Sequence, residues 1–183
     1  MPTRKITVLP YNEQCERDFA QIQDELVKAL GPLSLRIEHV GSTAVRGLSA
    51  KPIIDIDIVI RDYSLLEAVV SALEAIGYYH EGDLGIAGRE AFRYDGKDHL
   101  QKHHLYVCPQ DSAELKRHIA FRDYLRIHPE AVKEYSRIKE EGAALFPNDI
   151  DKYIEYKAPF IKKIYAGIEN QAILIFYYRP SFS

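Results

Sequence analysis

Apolar residues recur at helical spacing over about 12–30, with Phe19, Ile22, Leu26 and Leu30 on one stripe, and Gly31-Pro32 ends the run as a helix stop should. Residues 35–40 predict a short strand ending at Gly41. A stronger strand signal covers 53–60, where β-branched residues alternate with acids. Helical spacing returns over 64–76 (Leu65, Leu66, Val69, Leu73, Ile76) and stops at Gly77. Short strands are expected at 78–80, 91–94 and 105–108, between turns at Gly82, Gly85, Gly88 and Gly96. From Asp111 the pattern turns helical, over 112–127, 130–145 behind Pro129, and 150–168 behind a cap at Asn148 or Asp149. The expected architecture is α+β: a mixed sheet with helices packed on one face and a helical C-terminal third.

Side chains along a strand alternate faces, so Asp55 and Asp57 point the same way, roughly 7 Å apart, while Ile54, Ile56, Ile58 and Ile60 line the other face. Two like charges that close repel, and aspartate is a poor strand former. A divalent cation held by Asp55 and Asp57 is the economical remedy, and oxygen ligands suit Mg²⁺ or Mn²⁺. An edge strand with a solvated acidic face carries the same pattern. The Gly41-Ser42 turn upstream tilts the balance, because glycine lets backbone approach a ligand and the following amides can face a phosphate.

Composition narrows the field. The chain has 183 residues, 46% of them hydrophobic, with 24 Lys and Arg against 27 Asp and Glu for a formal charge of −3. At roughly 150 residues per domain this predicts one domain over 1–183, with a core over about 11–168 and a tail from 169. The charge balance argues against a dedicated nucleic-acid coat. Cys15 and Cys108 are too far apart for a CxxC zinc site and too few for a disulfide scaffold, so free thiols are expected. With neither a signal-peptide core nor a membrane-length apolar run, the expected location is the cytoplasm, with no membrane partner. The apolar, aromatic stretch 172–178 suits packing on the domain or on a second copy of the chain.

Gly41-Ser42 with Asp55-x-Asp57 resembles the signature of the nucleotidyltransferase superfamily, whose members share a polymerase-β-like core. More closely, the segments His39-Val40-Gly41-Ser42-Thr43, Gly47-Leu48, Lys51-Pro52-Ile53-Ile54-Asp55-Ile56, His104-Leu105 and Phe121-Arg122-Asp123-Tyr124-Leu125-Arg126 resemble the GrpB (UPF0157) family, from about Tyr11 to Ile164. The resemblance implies that Gly41 and Ser42 hold nucleotide phosphates and that Asp55 and Asp57 hold metal. Some relatives occur fused to dephospho-coenzyme A kinase. Active superfamily members usually add a third carboxylate from a neighbouring strand. Here the matching strand reads His104-Leu105-Tyr106-Val107, which turns His104 and Tyr106 toward the acids, so His104 is expected to take the third place. Glu38 and Asp98 are other carboxylates that no spacing places.

The expected activity is metal-dependent nucleotidyl transfer from a nucleoside triphosphate to an unidentified acceptor. The alternative is a non-catalytic nucleotide- or ligand-binding module that keeps the fold and lacks the third acid. Both acids are expected in a solvent-facing cleft with Ser42. Lys51, Arg89, Arg93 and Lys102 are candidates to neutralise the phosphates, with His39 a possible further contact. Arg117, Arg122, Arg126, Tyr153 and Lys157 are candidate substrate-side groups on the helices. A zinc site from His99, His103 and His104 would need helical spacing, which the turn at Asp95-Gly96 opposes. His80, His118 and His128 are expected to be structural.

Overall fold

The structure, a computed structural model, describes residues 5–177 and side chains through residue 170. The stripe of Ile22, Leu26 and Leu30 lies on α1 (Gln14–Leu30) and is buried, with Phe19 packed beside it. The chain continues through β1 (Arg36–Val40), β2 (Ile54–Ile60), α2 (Leu66–Glu74), β3 (Tyr78–Gly82), β4 (Glu90–Tyr94), β5 (His103–Pro109), α3 (Ala113–Ile127), α4 (Pro129–Leu145) and α5 (Ile150–Tyr177). The helical segment expected from 64 starts as a tight 3₁₀ turn, Tyr63–Leu65, where the Asp62 side chain accepts from the Ser64 amide. The last helix runs past the expected 168, and the packing expected of the 172–178 side chains lies outside the described residues.

The five strands form one sheet in the order β1-β2-β5-β4-β3. Its pairs are antiparallel except β2 with β5 at the centre, which are parallel. The isoleucine row of β2 faces α1 and α2 and joins Ile37, Leu105, Val107 and Phe92 in the main core. Burying each such side chain contributes about 1.5–3 kcal/mol, which pins the register of β2, since a slip of one residue would send the acids into that core.

The helical third makes its own core. Leu125, Val132, Tyr135, Phe160 and Ile164 from α3, α4 and α5 close around Val45 and Leu48, which lie between β1 and β2. That segment begins with Gly41 and Ser42. Arg126 fixes it further, donating from Nε and Nη2 to the Ala44 carbonyl at 3.1 and 2.9 Å. Near the far end of the acidic face, Leu115 of α3 packs on Val59 and Cys108.

Candidate nucleotide and metal site

Strand register builds the site. Asp55 lies opposite Val40 on β1 and His104 on β5, and Asp57 lies opposite Glu38 and Tyr106. Directly opposed residues share a face, so Glu38, Asp55, Asp57, His104 and Tyr106 stand on the side away from the isoleucines. The two acids differ in exposure. The Asp55 side chain keeps 32% of its surface, whereas Asp57 is fully buried rather than solvent-facing. The reason is α3, which brings His118 over Asp57.

Each acid carries an imidazole. His118 Nδ1 lies 2.7 Å from Asp57 Oδ2, and His104 Nδ1 lies 2.8 Å from Asp55 Oδ1. The repulsion between the acids is therefore partly offset by side chains of the protein itself. Burial disfavours the His118 imidazolium, but its hydrogen bond to Asp57 and the charges of Asp57 and Glu114 outweigh that and push its pKa up. Asp57 Oδ1 is buried with no hydrogen-bond partner among the described residues. Glu38, the third carboxylate in this register, is held by Arg122 Nη1 at 2.7 Å and Arg36 Nε at 2.8 Å. Burial pushes the Asp57 carboxyl up, against the pull of His118 and Arg89. Arg89 stacks its guanidinium 4.2 Å from the centre of the Tyr106 ring, and its Nε is buried without a hydrogen-bond partner among the described residues.

The Gly-Ser turn sits against Asp55. Gly41 has φ +69°, a left-handed conformation, and a Cβ there would overlap the Asp55 carboxylate. Glycine is thus required twice over. Ser42 Oγ accepts from Lys139 Nζ at 2.6 Å, and Lys139 is only 3% exposed. Burial pushes the Lys139 pKa down to about 7, helped by the charges of Lys157 and Lys51 and opposed by Asp55. Lys157 falls to about 8 through burial and Lys51, again against Asp55, and its ammonium lies 4.3 Å from the centre of the Tyr153 ring. Three lysines gathered behind a glycine-serine turn, two with depressed pKa values, form a site short of negative charge. A polyanion would supply it.

Other expected residues lie elsewhere. His39 belongs to the apolar side of the sheet, opposite Ile56, where it stacks on Phe19 and bonds Thr43 Oγ1 at 3.0 Å. Burial drops its pKa to about 4, so it is a neutral structural group that braces the turn from behind. Arg93 is engaged by Asp95 at 2.9 Å and by the Tyr79 ring on the outer strands. The three histidines of the zinc alternative separate: His99 bonds Glu25, buried His103 bonds the Tyr78 hydroxyl, and His104 bonds Asp55. His80, expected to be structural, bonds Glu90 at 2.8 Å. Arg117 bonds Glu114.

Sequence reasoning missed Lys139 and treated His118 as inert. A signal for Lys139 existed, since it falls on the buried stripe of α4 with Val132, Tyr135 and Gly142. A lysine at a core position of an amphipathic helix is rare without a partner or a task. Metal fits this site in part. The unpartnered oxygen of Asp57, with Asp55 two residues away, supplies hard oxygen donors of the kind Mg²⁺ and Mn²⁺ prefer. No group of three His, Cys, Asp or Glu side chains among the described residues is arranged to hold a metal unaided. The remaining ligands of such an ion would come from phosphate and water.

Among solved structures, the Cid1 poly(U) polymerase bound to MgATP aligns with 72% of this chain and 45% of its own at TM-score 0.52 and 12% identity. The GLD-2/RNP-8 complex does so over 72% of this chain and 54% of its own, at 0.54 and 14%. At such identity the likeness concerns the fold, and that fold is the nucleotidyltransferase fold. A nearer match is the crystal structure of the conserved protein GrpB from Enterococcus faecalis, at TM-score 0.79 and 34% identity over 91% of this chain and 99% of that one. The family model described as GrpB protein matches residues 5–167, and the chain belongs to the GrpB family. It is 37% identical to the UPF0157 protein YqkA of Bacillus subtilis over 88% of its own length, spanning 46% of that relative. It is 32% identical to the glutamate-rich protein GrpB of Alkalihalophilus pseudofirmus over 87% of this chain and 94% of that one. No helix among the described residues is long and apolar enough to cross a membrane.

Proposed function

We propose that the chain transfers a nucleotidyl group from a nucleoside triphosphate to an acceptor, with a divalent cation at Asp55 and Asp57. The observation that carries this reading is the buried, unpartnered Asp57 Oδ1 beside Asp55 and the Gly41-Ser42 turn. A buried carboxylate oxygen with no donor is costly unless something positive meets it on binding. The cation, when bound, would neutralise charge on the phosphates and align the reacting groups. The chain's own part is electrostatic: Ser42, Lys139, Lys157 and Lys51 hold the phosphates, and proton uptake by the depressed lysines strengthens that grip. His118 and His104 orient the two carboxylates. The second nitrogen of half-exposed His104 is available to take the acceptor's proton.

A second reading has its own support. Across from Asp55 and Asp57, β5 offers His104 and Tyr106 instead of a carboxylate, and Glu38 is engaged by two arginines. Those features favour a module that binds a nucleotide without turning it over. One experiment separates the readings: each nucleoside triphosphate is incubated with Mg²⁺ or Mn²⁺, with pyrophosphate release and binding measured in parallel. Pyrophosphate release that vanishes in Asp55→Asn supports transfer. Tight binding without release supports the module, and no binding in any combination overturns both.

A further inference from the structure

Lys51 faces two ways. Its charge reaches Lys139 and Lys157 in the phosphate subsite. It also lines a separate cavity of about 450 Å³ with Lys5, Lys102, Ile6, Pro52 and Ile53. That volume falls in the range of small-molecule sites. The cavity joins four chain segments, 5–7, 51–53, 102 and Asn148 with Ile150, and hydrogen bonds hold the first three in place. The Ile6 amide donates to the Pro147 carbonyl at 2.7 Å, the Ile54 amide to the Lys102 carbonyl at 2.9 Å, and Gln101 Nε2 to the Pro52 carbonyl at 2.7 Å.

What sets the lysines that line it apart is that they share one concave surface with no counter-charge on it among the described residues. No acidic side chain lines the cavity. Lys5, Lys51 and Lys102 make no ion pair with any described residue. Like charges converging on one concave surface raise its potential and draw anions. The cavity is also distinct from the phosphate subsite: none of Gly41, Ser42, Asp55, Lys139 and Lys157 is among the residues that line it. A triphosphate held at Ser42 therefore leaves Lys5 and Lys102 uncompensated. The apolar wall of Ile6, Pro52 and Ile53 offers nothing to a bare inorganic ion and fits a molecule with a hydrophobic body.

We propose that this cavity binds a small organic phosphate as a second ligand, its charged head between Lys5, Lys51 and Lys102 and its apolar body against Ile6, Pro52 and Ile53. Such binding needs no nucleotidyl transfer, and Lys51 is the one group shared with the nucleotide site.

Phenyl phosphate is the probe, titrated by calorimetry and by backbone amide NMR into the parent, the Lys5→Ala/Lys102→Ala variant and a Lys133→Ala/Lys162→Ala control. The control removes the same charge from exposed positions on the helical third. The expected result is saturable binding that shifts amides at residues 5–7, 51, 53 and 102, and that weakens about tenfold in Lys5→Ala/Lys102→Ala. The control should bind as the parent does, and inorganic phosphate should bind more weakly than phenyl phosphate. Absence of binding overturns the proposal, as does equal weakening in the two variants or equal affinity for the inorganic ion. A nucleoside triphosphate titrated into the same proteins keeps the two readings apart. Its binding should survive Lys5→Ala/Lys102→Ala, and its loss there would merge the cavity with the nucleotide site and overturn a second ligand. Binding of phenyl phosphate by a parent that takes no triphosphate would defeat the nucleotide reading and leave this one standing.

Discussion

Gly41 concentrates two demands in one residue, a positive φ and room for the Asp55 carboxylate. Gly41→Ala is therefore expected to cost ~1–3 kcal/mol from backbone strain, with a further loss as Asp55 is displaced from His104. Gly77→Ala is the reference, since Gly77 also has positive φ and nothing within 4 Å of an added Cβ. In urea denaturation the difference between the two variants isolates the overlap with Asp55. Lys139 makes a second prediction. Its folded pKa, about 7, lies below the ordinary lysine value of 10.5, so between those values the unfolded chain holds a proton that the native chain has released. Ligand-free stability should rise with pH across that window. Lys139→Met should flatten the rise and be more stable than the parent at pH 7. Triphosphate binding should run the opposite way, since it favours the protonated lysine: parent affinity falls from pH 7 to pH 9, and proton uptake is measurable by calorimetry in buffers of different ionisation enthalpy. The acids were legible as residues because alternation with isoleucine exposes them on one strand. Lys139 was legible only as an anomaly on a buried stripe, and His118 was not, because its partner lies 61 positions away on a strand that α3 crosses.

Elements were legible to within a residue or two wherever periodicity was long, as in α1, α3 and α4. They were less so where hydrogen bonding overrides pattern. Asp62 tightens the start of the segment before α2, and β5 starts at His103 because its pairing with Ile54 extends the ladder. Family resemblance implied only that β5 neighbours β2, and the pairing of β1 with β2, which brings Glu38 opposite Asp57, was not legible. Arg122 of α3, 8% exposed, joins the helical third to β1 by donating to Glu38 and, at 3.0 Å, to the His39 carbonyl. Arg122→Ala should destabilise the protein by roughly 2 kcal/mol, because it removes the inner partner of a half-buried carboxylate and leaves only Arg36 to hold it. Adding Glu38→Gln should recover part of that loss. A double-mutant cycle by chemical denaturation measures the coupling, and an additive result would show that the pair does not join the two elements.

For the molecule as a whole, the paired acids set the response to ligand. Since hydrogen bonds from His104 and His118 already offset part of the repulsion, Asp55→Asn with Asp57→Asn should change ligand-free stability modestly. Mn²⁺ with a nucleoside triphosphate should raise the melting temperature of the parent and leave that double variant unmoved. An equal shift in both would place the metal elsewhere. The strand order carries a consequence for how the site comes into being. The β3–β4 pair is local and can form early, but β2 and β5 meet in parallel across 49 positions, from Ile54 to His103. Pairings of such separation bear a large loop-closure entropy and tend to slow folding. Asp55 meets His104 only in that pairing, and Asp57 meets His118 only once the helix after it has docked. On a chain emerging from a ribosome, the Gly-Ser turn and both carboxylates are made well before the groups that complete them, so binding competence is acquired late and all at once.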